Sequence, residues 1–177
     1  GLGEALAERW ATSFDALVED ASGSAVALAE LLATVPGWDD VATHDGEAVP
    51  LFKRAQIAPA HLAMAFAGTG PGALADLDRL TIFADNLVPH VLRCHGVLVH
   101  APALAARIDR EELLAFGSPE EVEIRAVALE AVERLVARLA ALGRETTAHA
   151  LDGLLWNAGQ APAIKARPRH RTRCTYY

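Results

Sequence analysis

Apolar residues along this chain recur every three or four positions, the period of a helix buried on one face. From Ala5 to Glu19 they are Leu6, Trp10, Phe14, Leu17 and Val18, and this spacing predicts a first helix. Ser24 caps a second, whose Leu28, Leu31, Leu32 and Val35 keep the period until Pro36-Gly37 ends it. Val41 to Leu51, with Asp45-Gly46 at its centre, reads as a small β-hairpin and is the one strand signal. Leu51 to Phe66 returns to helix, with Pro50 suited to the first turn and Pro59 expected to kink or split it. The glycine-rich turn Gly68 to Gly72 can aim several backbone N–H groups at an anion, form a tight hairpin, or act as a plain connector.

Asp78 or Thr81 can cap a further helix running to Cys94, with Pro89 kinking its middle and Gly96 stopping it. Short helical pieces follow to Phe116. Ser118-Pro119-Glu120-Glu121 has the cap, the proline and the acid of a helix start. The helix it opens should reach Leu142 and, being broadly apolar (Val122, Val127, Leu129, Val132, Leu135, Val136, Leu139), should be central to the fold. Thr147 to Asn157 is the last helix, and Gly159 to Pro168 reads as an extended lead into the C-terminal tail. The sum is a single all-α domain over residues 1–177 with one small β-hairpin.

Composition narrows the function. A chain of 177 residues, 52 % hydrophobic and 22 % charged, fills one core. No apolar run approaches the roughly 20 residues that cross a bilayer, and there is no signal-peptide pattern at the start, so a soluble, cytoplasmic protein without a membrane partner is expected. The opening Gly1, close to a helix, reads as a processed or truncated end. Cys94 and Cys174 are too few for a disulfide framework or a zinc site. His90, His95 and His100, five apart, point about 140° from one another on a helix, so neither a metal nor another cofactor is expected. The net charge of −7 argues against a stable nucleic-acid partner. It hides a tail in which Lys165, Arg167, Arg169, Arg171 and Arg173 occur without a single acid.

The candidate chemistry begins with Lys53 and Asp85, each a lone charge in apolar sequence. Burying an unpaired charge costs several kcal/mol, so the two should pair with each other or share a polar pocket. Such a pair can simply fix helix packing. Alternatively, a preorganised carboxylate suits cleavage of a C–N glycosidic bond, where positive charge develops on the sugar, with Lys53 keeping Asp85 ionised and oriented. Trp156 and Asn157, with Asp152 one turn earlier, are either core or a stacking surface with an amide edge for a nucleobase. Glu120, Glu121, Glu123, Glu130 and Glu133 read as helix cap and solvated face. Two closing aromatics, Tyr176-Tyr177, point to a docked tail, whose arginines can clamp a phosphate.

Five segments in order, Phe52-Lys53-Arg54-Ala55-Gln56-Ile57, Thr81-Ile82-Phe83-Ala84-Asp85 with Val88-Pro89, Glu121-Val122-Glu123-Ile124-Arg125, Leu155-Trp156, and His170-Arg171-Thr172-Arg173 with Tyr177, resemble the queuosine salvage protein family. The resemblance covers roughly Phe14 to Tyr177. It implies a fold similar to helix-hairpin-helix DNA glycosylases and hydrolysis of the N-glycosidic bond of queuosine 5'-monophosphate, a modified nucleotide, to release queuine for tRNA modification. It further implies Asp85 as the catalytic carboxylate, Lys53 as its partner, and the Gly68 to Gly72 turn as the glycosylase hairpin. Phe52, Gln56, Asn86, His90, Asp152, Trp156 and Asn157 would bind the substrate, with His170, Arg171, Arg173 and Tyr177 toward the 5'-phosphate. An upstream family region is absent from this chain. Asn157 stands where the family has Asp, which removes a charge able to pair with the amine of queuine. Another 7-deazapurine or purine nucleotide is therefore the alternative substrate, and a non-catalytic helical interaction module the alternative class.

Overall fold

The computed structural model describes residues 1–177, mainly helical. Helices α1 (Leu2–Arg9), α2 (Phe14–Asp20) and α3 (Ala25–Ala33) come first. The hairpin β1 (Val41–His44) and β2 (Glu47–Pro50) leads into α4 (Lys53–Ala65). Then come α5 (Val88–Cys94), α6 (Pro102–Asp109), β3 (Leu113–Leu114), α7 (Pro119–Ala140), α8 (Ala148–Ala158), α9 (Pro162–Lys165) and β4 (Arg171–Thr172). No helix is long and apolar enough to cross a membrane.

Two large clusters of apolar side chains, with a small third one of Ile108, Leu114 and Ile124, make the core. The first joins Leu6, Trp10, Leu17, Leu28, Leu32, Ala55 and Leu80, so α1 to α3 pack on α4. The second joins Ile82, Ala84, Val88, Leu92, Ala128, Val132 and Ala148, which brings α5, α7 and α8 together. The segment from Leu80 to Leu87 crosses from one cluster to the other and carries Asp85 on the way.

Several sequence expectations hold. Ser24 and Ser118 each accept a backbone N–H as the expected helix caps, and Thr147, where the last helix was expected to begin, does the same. In the hairpin His44 pairs with Glu47 across Asp45-Gly46, whose φ values of 49° and 83° both lie in the left-handed region that a two-residue turn requires. The tail is docked, as the paired tyrosines imply, and β4 lies parallel to β3.

Others are corrected. The first helix is two, because Ala11 and Thr12 turn left-handed (φ 48° and 65°) and Ser13 caps a new start. The turn resets the helical phase, and Phe14, expected in the core, is 61 % exposed. α4 runs unbroken through Pro59. The helix expected from Asp78 or Thr81 forms only from Val88, so Pro89 sits in its first turn, where a missing N–H is harmless, rather than kinking its middle. Leu87 then packs against Gly159, whose missing side chain leaves the room. α7 is fully buried along Glu121, Val122, Ile124, Arg125, Ala128 and Val132, Leu135 and Val136 pack partly on the second cluster, and Val127, expected among its core positions, faces out. Glu121 is fully buried rather than solvated. The lead after Gly159 contains α9 instead of being extended throughout.

The Gly68 to Gly72 turn ends in a short 3-10 turn against α4. A Cβ on Gly72 would lie 2.8 Å from Phe66 Cβ and 2.9 Å from the Leu62 carbonyl oxygen. Gly72→Ala should therefore lower unfolding stability by about 1–3 kcal/mol through overpacking. Chemical denaturation checks this, and an unchanged midpoint would contradict the close approach.

Candidate active site

Lys53 opens α4, and its direction is set by the residue before it. Phe52 is left-handed at φ 47°, a conformation that costs a non-glycine residue of the order of 1 kcal/mol or more. Asp40 holds it there. The Asp40 carbonyl oxygen accepts the N–H groups of Leu51 (2.9 Å) and Phe52 (3.0 Å), and its Oδ2 accepts that of Lys53 at 3.2 Å. Phe52 itself packs on the first cluster. Gln56, one turn along, spends its amide on Thr81, accepting from Thr81 N at 2.9 Å and donating to Thr81 Oγ1 at 3.0 Å. It thus ties α4 to the start of the Asp85 segment.

Asp85 is half-buried. Its Oδ1 accepts the N–H groups of Leu87 (2.7 Å) and Val88 (3.1 Å) at the start of α5. One oxygen is thereby fixed by backbone amides at the entrance to α5 while Oδ2 bonds to no protein group. Asp152 of α8, buried, accepts Phe83 N at 2.9 Å from the other side of the segment. Burial pushes the Asp152 carboxyl up to about 6; the Phe83 N–H opposes this, the Asp85 charge adds to it and the Lys53 charge subtracts. Asp152 is thus within electrostatic reach of both Asp85 and Lys53. The direct pair expected between Lys53 and Asp85 is not formed: no salt bridge within 4.0 Å joins them, and the one group on which both charges act is Asp152.

A cavity of about 580 Å³ opens at Asn86, the residue after Asp85, with Asp85 itself outside its lining. Asn86 and His90 line it on one side, and Lys165, Arg167, Arg169, Arg171 and Arg173 on the other, with Glu111 the one acid. The tail is bent around this space by contacts of its backbone. His90 Nε2 donates to Ile164 O at 3.0 Å, Arg93 to Pro168 O at 3.3 Å and Arg54 to Thr175 O at 3.2 Å. Burial and the neighbouring arginines keep the His90 ring below its usual pKa. His170 points away from the cavity into the interior, its ring 6.3 Å from that of Tyr177, and burial pulls it down to about 3.

The tail ends in a buried ionic cluster. Tyr177 donates its hydroxyl to Glu121 at 2.6 Å, and Arg125 lies 4.7 Å over its ring. Arg125 in turn binds Asp40 with both terminal nitrogens, Glu121 at 3.2 Å, and the Ala84 carbonyl at 2.9 Å. Arg125, Asp40 and Glu121 are all fully buried. Sequence reading passed over Arg125 and Asp40 as site residues. The signal was there, since Arg125 is a lone cation between Ile124 and Ala126-Val127, whereas Lys53 is followed by Arg54.

Residues 1–177 match the family model described as queuosine salvage protein. The chain belongs to that family. A relative from Sphaerobacter thermophilus is 46 % identical over 99 % of this chain and 54 % of its own length. Others from Dictyostelium discoideum and Mus musculus are 33 % and 32 % identical over 99 % of this chain and 55 % of their own. Each bears the name queuosine 5'-phosphate N-glycosylase/hydrolase. The chain spans about half the length of the curated relatives it matches. Within this queuosine salvage chain, Lys53, Asp85 and Asp152 form one group, and Asn86, His90, Arg171 and Arg173 another around the cavity. Trp156, 47 % exposed, and Asn157 stand on the open side of α8, and His170 and Tyr177 lie behind the cavity rather than in it.

The Asp152 shift has a measurable sign. Its folded pKa is raised, so the folded state takes up a proton as pH falls through about 6, and ionising it destabilises the protein at higher pH. Asp152→Asn keeps an acceptor for Phe83 and removes the charge. The stability of the variant minus that of wild type should rise by about 3 kcal/mol between pH 4 and pH 8. Denaturation at both pH values tests this, and a difference independent of pH would show that Asp152 is not shifted.

Proposed function

We propose that this chain carries the hydrolytic centre of an enzyme that cleaves the N-glycosidic bond of queuosine 5'-monophosphate and releases queuine. The observation that carries the reading is the cation-lined cavity opening one residue from Asp85. A nucleoside 5'-monophosphate has its phosphate one methylene beyond the sugar ring, so an anion in that cavity would bring the sugar toward Asp85. The names of the relatives supply the substrate.

In this reading the bond between C1' and the base nitrogen breaks with positive charge developing on the sugar. The free Oδ2 of Asp85 faces that charge and aligns the water that adds hydroxyl to C1', while the base departs with a proton. The backbone N–H bonds to Oδ1 hold the carboxylate ready without reorganisation. Lys53 orients the same pocket without a direct ion pair. Trp156 offers its exposed face to the base, beside Asn157. Arg171 and Arg173 bind the phosphate with Lys165, Arg167 and Arg169. We further take residues 1–177 as one helical catalytic unit of the helix-hairpin-helix glycosylase type, with 165–177 as its basic tail and the relatives' remaining length as a separate upstream region completing the base pocket.

The test follows free queuine by mass spectrometry, using the full-length protein and queuosine 5'-monophosphate. Asp85→Asn should lower kcat by at least about 10²-fold yet stay folded, because Asn caps a helix as well as Asp does. Queuosine without its 5'-phosphate should lose kcat as well as binding. No release by wild type would overturn the reaction, and equal release by Asp85→Asn the role of that residue. Comparable kcat/KM on ordinary purine monophosphates would move the substrate to that class.

A further inference from the structure

Lys53 and Asp85 lie on different elements and do not touch, so something else must set their separation. Arg125 contacts the backbone or the anchor of both. Its Nε donates to the carbonyl of Ala84, the residue before Asp85, at 2.9 Å. Its terminal nitrogens grip Asp40, whose Oδ2 accepts the N–H of Lys53 at 3.2 Å and whose carbonyl holds the left-handed turn at Phe52. The path from Lys53 through Asp40, Arg125 and Ala84 to Asp85 therefore contains only hydrogen bonds and single peptide units, and the bonds made by Arg125 are buried. Glu121 and the Tyr177 ring close the remaining sides of the guanidinium, so it has one orientation.

Resting on the reading of Asp85 and Lys53 given above, we propose that Arg125 is a positioning residue for glycosidic cleavage, setting Asp85 and Lys53 relative to each other without touching the substrate. Only arginine can do this. Its planar fork offers one edge to a carboxylate while Nε serves a carbonyl in another direction, and a lysine ammonium cannot span both. A fully buried ion pair adds little net stability compared with an apolar replacement of the same shape, so fixing geometry is the better account of a charge at this place.

Arg125 also touches Tyr177, and the tail forms the phosphate cavity, which gives two separable consequences. Loosening the tail weakens phosphate binding and raises KM. Losing the spacing of Asp85 and Lys53 lowers kcat with KM little changed. The experiment uses the full-length protein, first establishing queuine release by wild type and its loss in Asp85→Asn, so that failure of the underlying reading is seen independently. Arg125→Lys is then measured below its melting temperature, with kcat expressed per folded protein. The expected result is a fall in kcat of about 30-fold or more, with KM within threefold of wild type. Asp40→Asn, which keeps side-chain volume and acceptor but weakens the grip on Arg125, should lower kcat about fivefold or more and serves if Arg125→Lys does not fold. A folded Arg125→Lys with normal kcat, or a raised KM alone, would overturn the proposal and leave Arg125 as an anchor for the tail. Normal kcat in Asp40→Asn would overturn it equally.

Discussion

The fold turns on one buried ion pair, Arg125 with Asp40. Each has no exposed surface, and breaking such a pair by removing one partner typically costs about 3–5 kcal/mol because the survivor is left charged and dry. Around it meet the hairpin entry at Asp40, the strained start of α4, the segment before Asp85, the first half of α7 and the C-terminal residue. The pair itself is long-range, with Asp40 and Arg125 85 residues apart in sequence, while Glu121 sits one helical turn before Arg125. The apolar clusters decide that helices pack. The pair decides how the two clusters are registered on each other.

That registration matters because the candidate site belongs to neither cluster. Lys53 is anchored on the helix that completes the first, Asp152 on a helix of the second, and Asp85 on the segment passing between them. Apolar packing alone tolerates shifts, since large and small side chains can trade places at modest cost. Directional bonds do not. The segment is tied by side-chain or backbone bonds at Thr81, Phe83, Ala84 and Asp85, which is more than a loop needs for order alone.

Periodicity made the helices, their caps and the hairpin legible. Where it failed, a backbone event invisible to it had intervened: the left-handed pair Ala11-Thr12 broke a stripe that ran on through Phe14. Pro89 was misread because a proline in an apolar run looks the same in the first turn as in the middle. The family motifs marked Lys53 and Asp85, and the acid-free tail marked the cations, since both are local signals. The way the charges meet was not legible. A lone Lys and a lone Asp invited pairing with each other, whereas Asp40 binds the backbone of Lys53 and backbone amides cap Asp85. Charges embedded in apolar sequence do find buried partners here, but the clearest case is Arg125.

The two halves of the site are electrostatically opposed, which under the proposed function would give the substrate phosphate a role beyond grip. Five cations lining a cavity beside the reacting sugar would resist positive charge developing at C1'. Two unit charges roughly 8 Å apart at an effective dielectric of 20 interact by about 2 kcal/mol, so several unneutralised arginines could cancel what one carboxylate contributes. A bound phosphate, carrying close to two negative charges, removes most of that opposition. Under the proposed chemistry the anion thus converts an inhibitory field into a nearly neutral one, leaving Asp85 to act on the sugar unopposed. A nucleoside lacking it would meet the cations bare, and the barrier itself, not only the binding, would rise. The acidic body supports this arrangement at a distance. With the net charge of the chain at −7, the tail's cations are a local exception, confined to the space that the docked backbone encloses. Under the proposed function a phosphate would be drawn to that one place, while the net negative charge of the chain disfavours a long polyanion.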